Sequence, residues 1–421
     1  MNNFKLSNKM NCVFLPNKNS KSFLFLINIK VGSNNELKEE NGIAHFLEHM
    51  MFKSTKSYSA HELLQKLDYH GTSYNAMTSN EYTLYYIKGS INQSKVIMNI
   101  MKEIFFYPRF LDKDIEKERG VVKDEYLIYA NDDESIISDL TMSHLYGDTP
   151  PGRKILGTLE SIKSFKRNDF IKFRQKYYRP ENTCLVVYGN FNVASMKKYI
   201  TSNFDKKMSV IPCTKYIHEK PIQTKPKILY KYLKSTQRTY IQIAFHSYPR
   251  NSTKTYPIDI LSNILTSGMS SILFTRLREK LGYVYGISSR QYGYDQFGVF
   301  MIDTSCHNKY TKKVIYIILE ELNKLKKQVV SNSIIKAAKN NVTNSILFST
   351  ESSDSLAKYY SIVSLFYDKL VTHNELNKRY QKVTANDIKN IANELFVNNN
   401  LNMIIYGDTK IDNKMASKFI F

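Results

Sequence analysis

Residues 41 to 55 read NGIAHFLEHMMFKST, and within them His45, Glu48 and His49 stand among Ile, Phe, Leu and Met. On a helix, positions i and i+4 lie on one face about one turn apart, so His45 and His49 present two imidazoles to a single point. Glu48 lies on the adjoining side of the same turn. Three such polar groups left uncompensated among apolar neighbours would be costly. A metal ion removes that cost. Zinc suits imidazole and carboxylate donors, and a catalytic zinc takes three protein ligands and keeps one position open for water. The pair therefore calls for a third ligand from elsewhere, with Glu48 free to act on a water. Two core histidines on an apolar helix are the plain alternative.

Strand-like and helix-like runs alternate along the chain around this cluster, which makes the class mixed. SFLFLINIKVG (22–32) predicts a strand that ends at Gly32 and leads into the cluster's helix. S-A-H-E (59–62) is a capping box ahead of LLQKLDY, with Gly71 as the stop. TSYNAMTSNEYTLYYIKG (72–89) predicts two strands around a polar turn, followed by helices near 92–107 and 112–130.

An internal repeat organises the whole. Tyr188-Gly189 and Tyr406-Gly407 lie 218 positions apart in similar apolar runs, and FLINIKV (25–31) pairs with TYIQIAF (239–245) at an offset of 214. The expected fold class is α+β: two similar α/β sandwich domains, each a mostly antiparallel sheet with helices on one face. They are expected over residues 1–205 and 229–421, joined by a link at 206–228. The offset of 214 sets His45, Glu48 and His49 opposite Asp259, Ser262 and Asn263, so the second domain is expected to be metal-free.

HxxEH is the inverzincin signature, and the chain resembles the pitrilysin or insulysin-type family, which includes mitochondrial processing peptidase and bacterial two-domain zinc proteases. NGIAHFLEHMMFKST is similar to the family's GxAHFLEHMxFKGT, with Ser54 where the family has Gly. GTSYNAMTSNEYTLYY (71–86) is similar to its GGxxNAxTxxExTxY, and TPPGRKILGTLESIKSFKRNDFIKFRQKYYRPENTCLVVYGN (149–190) to the stretch that closes its first domain.

The resemblance implies a zinc endopeptidase with one Zn2+ per chain, held by His45, His49 and Glu125, the last 76 residues beyond His49. It makes Glu48 the base that takes a proton from the attacking water and passes it to the departing amine. Glu118, seven residues before Glu125 and on the same helix face, becomes a partner that orients a ligand. Asn75 and Ala76 match the family's NA pair, whose edge strand holds the substrate backbone by strand addition. LFTRLREKLGYVYGISS (273–289) is similar to the family's LREKxGLAYSVSS, which implies that Arg278 and Tyr285 contact the substrate or the oxyanion. A shifted register would use Arg276 and Tyr283. The implied substrates are peptides or unfolded, presequence-like segments. Short family members pair, so a homodimer or a heterodimer with a related subunit is expected. The alternative is a catalytically silent scaffold, or the partner subunit of a heterodimeric processing peptidase.

Composition sets the remaining bounds. A chain of 421 residues suits two domains, and 42% hydrophobic with 23% charged residues is the balance of a soluble globular protein. The formal charge of +22 invites a nucleic-acid reading, but the Lys and Arg residues are spread along the chain, and no nucleic-acid partner is expected. No run approaches the roughly 18 apolar residues of a membrane span. The N-terminal stretch lacks a signal peptide's apolar core, so the protein is expected to be intracellular, with the cytoplasm as the default compartment. Cys12, Cys184, Cys213 and Cys306 match no metal or redox spacing and read as inert thiols. The other seven histidines (His61, His70, His144, His218, His246, His307 and His373) show no paired spacing.

Overall fold

The computed structural model describes residues 1–212, 217–219, 221–234, 236–367, 369–409 and 419–421. Cys213 and part of the expected link at 206–228 lie outside the described residues. The chain divides into two compact units that interleave in sequence. One comprises Met1–Tyr129, Thr149–Tyr216 and Ser349–Val371, the other Ala130–Asp148, Ile217–Phe348 and Thr372–Phe421. A division into two contiguous stretches does not describe them, because one helix of each sequence half belongs to the unit built from the other half.

The first unit is built on six strands: β1 (Asn2–Lys5), β2 (Asn11–Pro16), β3 (Ser22–Ile29), β4 (Ser73–Thr78), β5 (Thr83–Ser90) and β6 (Thr183–Gly189). Their order is β1-β2-β6-β3-β5-β4, antiparallel except for the β2–β6 pair. The apolar run of β3 is continuous because both faces of the sheet are covered. Phe23, Phe25, Ile27 and Ile29 pack with Phe46, Leu47, Ile100 and Phe173 of the helices Ile43–Met51, Ser94–Phe106 and Arg167–Tyr177. Leu24 and Leu26 turn to the opposite face, where Ala357 and Tyr360 of the helix Ser353–Phe366 cover them. That helix is anchored by Asn28 Nδ2, which donates to Ser361 Oγ at 2.9 Å.

The second unit repeats the topology with β7 (Lys227–Tyr232), β8 (Arg238–Ser247), β9 (Val284–Gly293), β10 (Gly298–His307) and β11 (Asn402–Gly407) in the order β7-β11-β8-β10-β9. Only β7–β11 is parallel. The helices Thr255–Thr266, Thr311–Lys327 and Ala385–Leu395 fill one face. The helix Asp133–Tyr146 covers the other, through Ile137 against Ile404 and Tyr406, and Leu145 and Tyr146 against Ala244, Val299 and Met301.

The expected α+β class and the repeat therefore hold. Helices on one face only do not: in each unit a further helix closes the second face. The local expectations match closely, since the capped helix is Ala60–Tyr69 with Ser59 and Glu62 in a reciprocal capping box, and the two following helices are Ser94–Phe106 and Asp112–Ala130.

Candidate metal centre and active site

The helix Ile43–Met51 buries Ile43, Ala44, His45, Phe46, Leu47, Met50 and Met51, and Glu48 and His49 are half-buried beside them. Its first turn has no capping side chain of its own. Glu36 caps it instead: its carboxylate accepts from the backbone N–H of Gly42 and of Ala44, both at 2.8 Å, and from Asn41 Nδ2 at 3.1 Å. Burial pushes the Glu36 carboxyl up to about 8, and those three donors oppose the rise. Gly42 sits at φ 96°, and a Cβ there would lie 2.7 Å from the Leu156 carbonyl oxygen, so the turn into the helix requires glycine. Ser54, the departure from the family's glycine, is accommodated: its Oγ accepts from Ala60 N–H at 3.2 Å.

The helix Asp112–Ala130 brings the acidic partners. Arg119 holds it, donating to the carbonyl oxygens of Ile162 and, at 2.7 Å, Phe165, while its guanidinium lies 5.7 Å from the Phe46 ring centre. This places Glu125 Oε2 at 3.5 Å from His45 Nε2 and 3.2 Å from His49 Nε2. One ligand atom from each of the three residues lies within 4.8 Å of the others. Glu118, 5% exposed, accepts from His49 Nδ1 at 2.9 Å through Oε1, and its Oε2 pairs with Lys53 Nζ at 2.6 Å. Among the described residues this is the group of His, Cys, Asp or Glu side chains able to hold a metal ion.

The electrostatics fit a cation. Burial opposes the His49 imidazolium, yet the hydrogen bonds to Glu118 and Glu125 and the charges of Glu48 and Glu125 outweigh it and raise its pKa to about 9. The hydrogen bonds from His45 and His49 hold the Glu125 carboxyl well below the usual carboxylate range. Glu118 is also lowered, since His49 and Lys53 together overcome its burial. Two imidazole nitrogens and one carboxylate oxygen are also the mixed N and O donor set that zinc accepts.

The structure brings together His45, His49, Glu125, Glu118 and Glu48. Asn75 and Ala76 lie on β4, the outermost strand of its sheet, with Asn75 exposed and its Oδ1 accepting from Ala76 N–H at 2.8 Å. Arg278 and Tyr285 form a pair within the second unit: the guanidinium is 5.2 Å from the Tyr285 ring centre and 4.7 Å from that of Phe274, and Tyr285 is 79% exposed. The shifted register is otherwise engaged, because Arg276 is paired with Glu320 and Glu321 and Tyr283 stacks on Tyr310 at 4.3 Å.

Sequence reading missed Glu36, Lys53 and Thr78, whose Oγ1 donates to Glu48 Oε2 at 2.6 Å. Thr78 stands in the segment that matches the family's strand pattern, but its contact with the helix is visible only in three dimensions. Nothing in the structure explains Gly120, which is exposed with open space around it.

The repeat carries no second centre among the described residues. At the positions of His45 and Glu48, Asp259 accepts from Tyr380 OH at 2.6 Å, and Ser262 Oγ donates to the Ser289 carbonyl oxygen at 2.8 Å. The three described cysteines, Cys12, Cys184 and Cys306, are free and buried. No described helix is long and apolar enough to cross a membrane.

Two sandwich units of one topology, one bearing an HxxEH helix opposite a glutamate, define a two-domain protein of the inverzincin class. Residues 12–159 match the family model described as insulinase (peptidase family M16), and residues 164–342 match that of the peptidase M16 inactive domain. The chain belongs to this family. It is 30% identical over 376 residues to an uncharacterized zinc protease of Rickettsia felis, covering 87% of this chain and 88% of the relative. It is 28% identical over 396 residues to the uncharacterized zinc protease YmxG of Bacillus subtilis, covering 93% and 95%. The crystal structure of a protease from Helicobacter pylori shares the fold, with a TM-score of 0.87 at 22% identity over 96% of this chain and 99% of that one.

Proposed function

We propose that this protein is a zinc-dependent endopeptidase that hydrolyses peptides or unfolded, presequence-like segments held in extended form. The observation that carries the reading is the convergence of His45 Nε2, His49 Nε2 and the Glu125 carboxylate, with Glu48 on the same helix turn. Curated relatives named as zinc proteases support the same reaction class.

His45, His49 and Glu125 would hold the ion. When bound, zinc acts as a Lewis acid that polarises the peptide carbonyl and makes water acidic enough to lose a proton near neutral pH. Glu48 takes that proton and delivers it to the amine as the peptide bond breaks. Glu118 keeps Nδ1 of His49 engaged, so that Nε2 of the same ring is the nitrogen left for the ion. β4, which carries Asn75 and Ala76, has no strand neighbour along its outer edge, where an extended substrate adds as a further strand. Arg278 and Tyr285 are the proposed donors to the substrate or oxyanion, a role supported by their exposure and mutual stacking. Pairing of chains, as a homodimer or with a related subunit, is part of the proposal. A silent scaffold would have no need of the complete donor set found here.

The test is Glu48→Gln. The variant should bind one zinc per chain and lose peptide cleavage, while chelation of the unmodified protein abolishes cleavage and added zinc restores it. Full activity in Glu48→Gln would remove Glu48 from the role of base, and activity indifferent to chelator would remove the zinc peptidase reading.

A further inference from the structure

The structure assigns Thr78 as a positioning residue that ties the base to the strand on which the substrate would lie; we infer this on the basis of the peptidase reading above. Thr78 is the last residue of β4, paired with Thr83 of β5, and its hydroxyl donates to Glu48 Oε2 at 2.6 Å. That length is typical of an O–H donor on a charged carboxylate, a bond roughly twice as strong as its neutral counterpart. The opposite edge of β4 has no strand neighbour in the sheet.

Two consequences follow from one residue having both attachments. The Glu48 side chain has three rotatable bonds, and a fixed donor on Oε2 removes most of that freedom before substrate arrives, leaving Oε1 for the water proton. A peptide added to β4 takes its register from the backbone of residues 73–78. The same strand therefore sets where the scissile carbonyl lies and where the base lies, and a shift of one moves the other. The Thr78 hydroxyl touches neither substrate nor metal in this role. Its work is done through Glu48.

Thr78→Val keeps the shape and β-branching and removes only the donor; Thr78→Ser keeps the donor. With zinc stoichiometry and melting temperature at the values of the unmodified protein, Thr78→Val is expected to lower kcat about tenfold or more while KM stays within about twofold. Thr78→Ser should recover kcat to within about threefold. In the Glu48→Gln background, Thr78→Val should cost nothing further, because the group it positions is already gone. Thr78→Ala serves as the second donor-free variant should Thr78→Val fold poorly.

The inference is overturned if Thr78→Val or Thr78→Ala keeps kcat within about twofold, or if Thr78→Ser is as impaired as Thr78→Val. Loss of zinc or a lowered melting temperature in both donor-free variants would also overturn it, since Thr78 would then be a structural staple. Failure of the peptidase reading is distinguishable, because it appears in the unmodified protein as cleavage indifferent to chelator or to Glu48→Gln.

Discussion

Lys53 and Glu118 form an ion pair of 2.6 Å, and the same carboxylate accepts from His49 Nδ1, so a lysine on one element helps aim an imidazole through a glutamate on another. The chain Lys53–Glu118–His49 explains how a nearly buried glutamate stays ionised beside the cluster. Glu118→Gln keeps the size and loses the charge. Its zinc affinity should fall by about 10- to 100-fold, read by competition with a chromogenic chelator. An affinity equal to that of the unmodified protein would reduce Glu118 to packing.

Glu36 has a different task, because it closes the first turn of the helix that carries both histidines. Glu36→Ala leaves two buried N–H groups without acceptors and should cost about 1–3 kcal/mol in denaturant unfolding. The pH dependence has a definite sign. Burial raises the folded-state value to about 8, above that of an unfolded glutamate, so the folded chain holds the extra proton between those values. The stabilisation is complete below the unfolded value and is lost as pH rises through about 8. Glu36→Gln has no such titration, so its unfolding midpoint should decline less between pH 5 and pH 8 than that of the unmodified protein. Parallel declines would contradict the assignment.

Arg276 and Arg278 lie two positions apart and should part in their effects. Arg278→Met removes a side chain 40% exposed and should lower kcat/KM for peptides by about tenfold or more, with little change in melting temperature. Arg276→Met removes one of the two cations paired with Glu320 and Glu321, which keep Lys324, and should destabilise the second unit by about 0.2–1 kcal/mol. The reverse pattern, with Arg276 governing catalysis, would favour the shifted register.

Gly120 lies inside the helix Asp112–Ala130, and an added Cβ would meet nothing within 4 Å. Gly120→Ala should therefore stabilise the zinc-free protein by about 0.5–1 kcal/mol, measured by urea unfolding. A loss of stability instead would mean that the helix needs the glycine's freedom.

Local patterns in the sequence were enough for the class, the repeat and the shared face of His45 and His49. Helical spacing alone puts His45 and His49 on one face, and the family resemblance supplies Glu125, which folding brings within reach of both Nε2 atoms. The capping box at Ser59 and the strands around residues 79–82 are legible for the same reason: each is decided by residues a few positions apart. What the sequence hid was decided by contacts that follow no local spacing rule. Glu36 reaches a helix end across a loop, and Thr78 meets Glu48 from 30 positions away. The helix Ser353–Phe366 joins a sheet whose strands all lie before residue 190, because Ala357 and Tyr360 cover Leu24 and Leu26 there. An amphipathic helix announces that it has an apolar face, but only the folded chain determines which exposed apolar surface that face will cover.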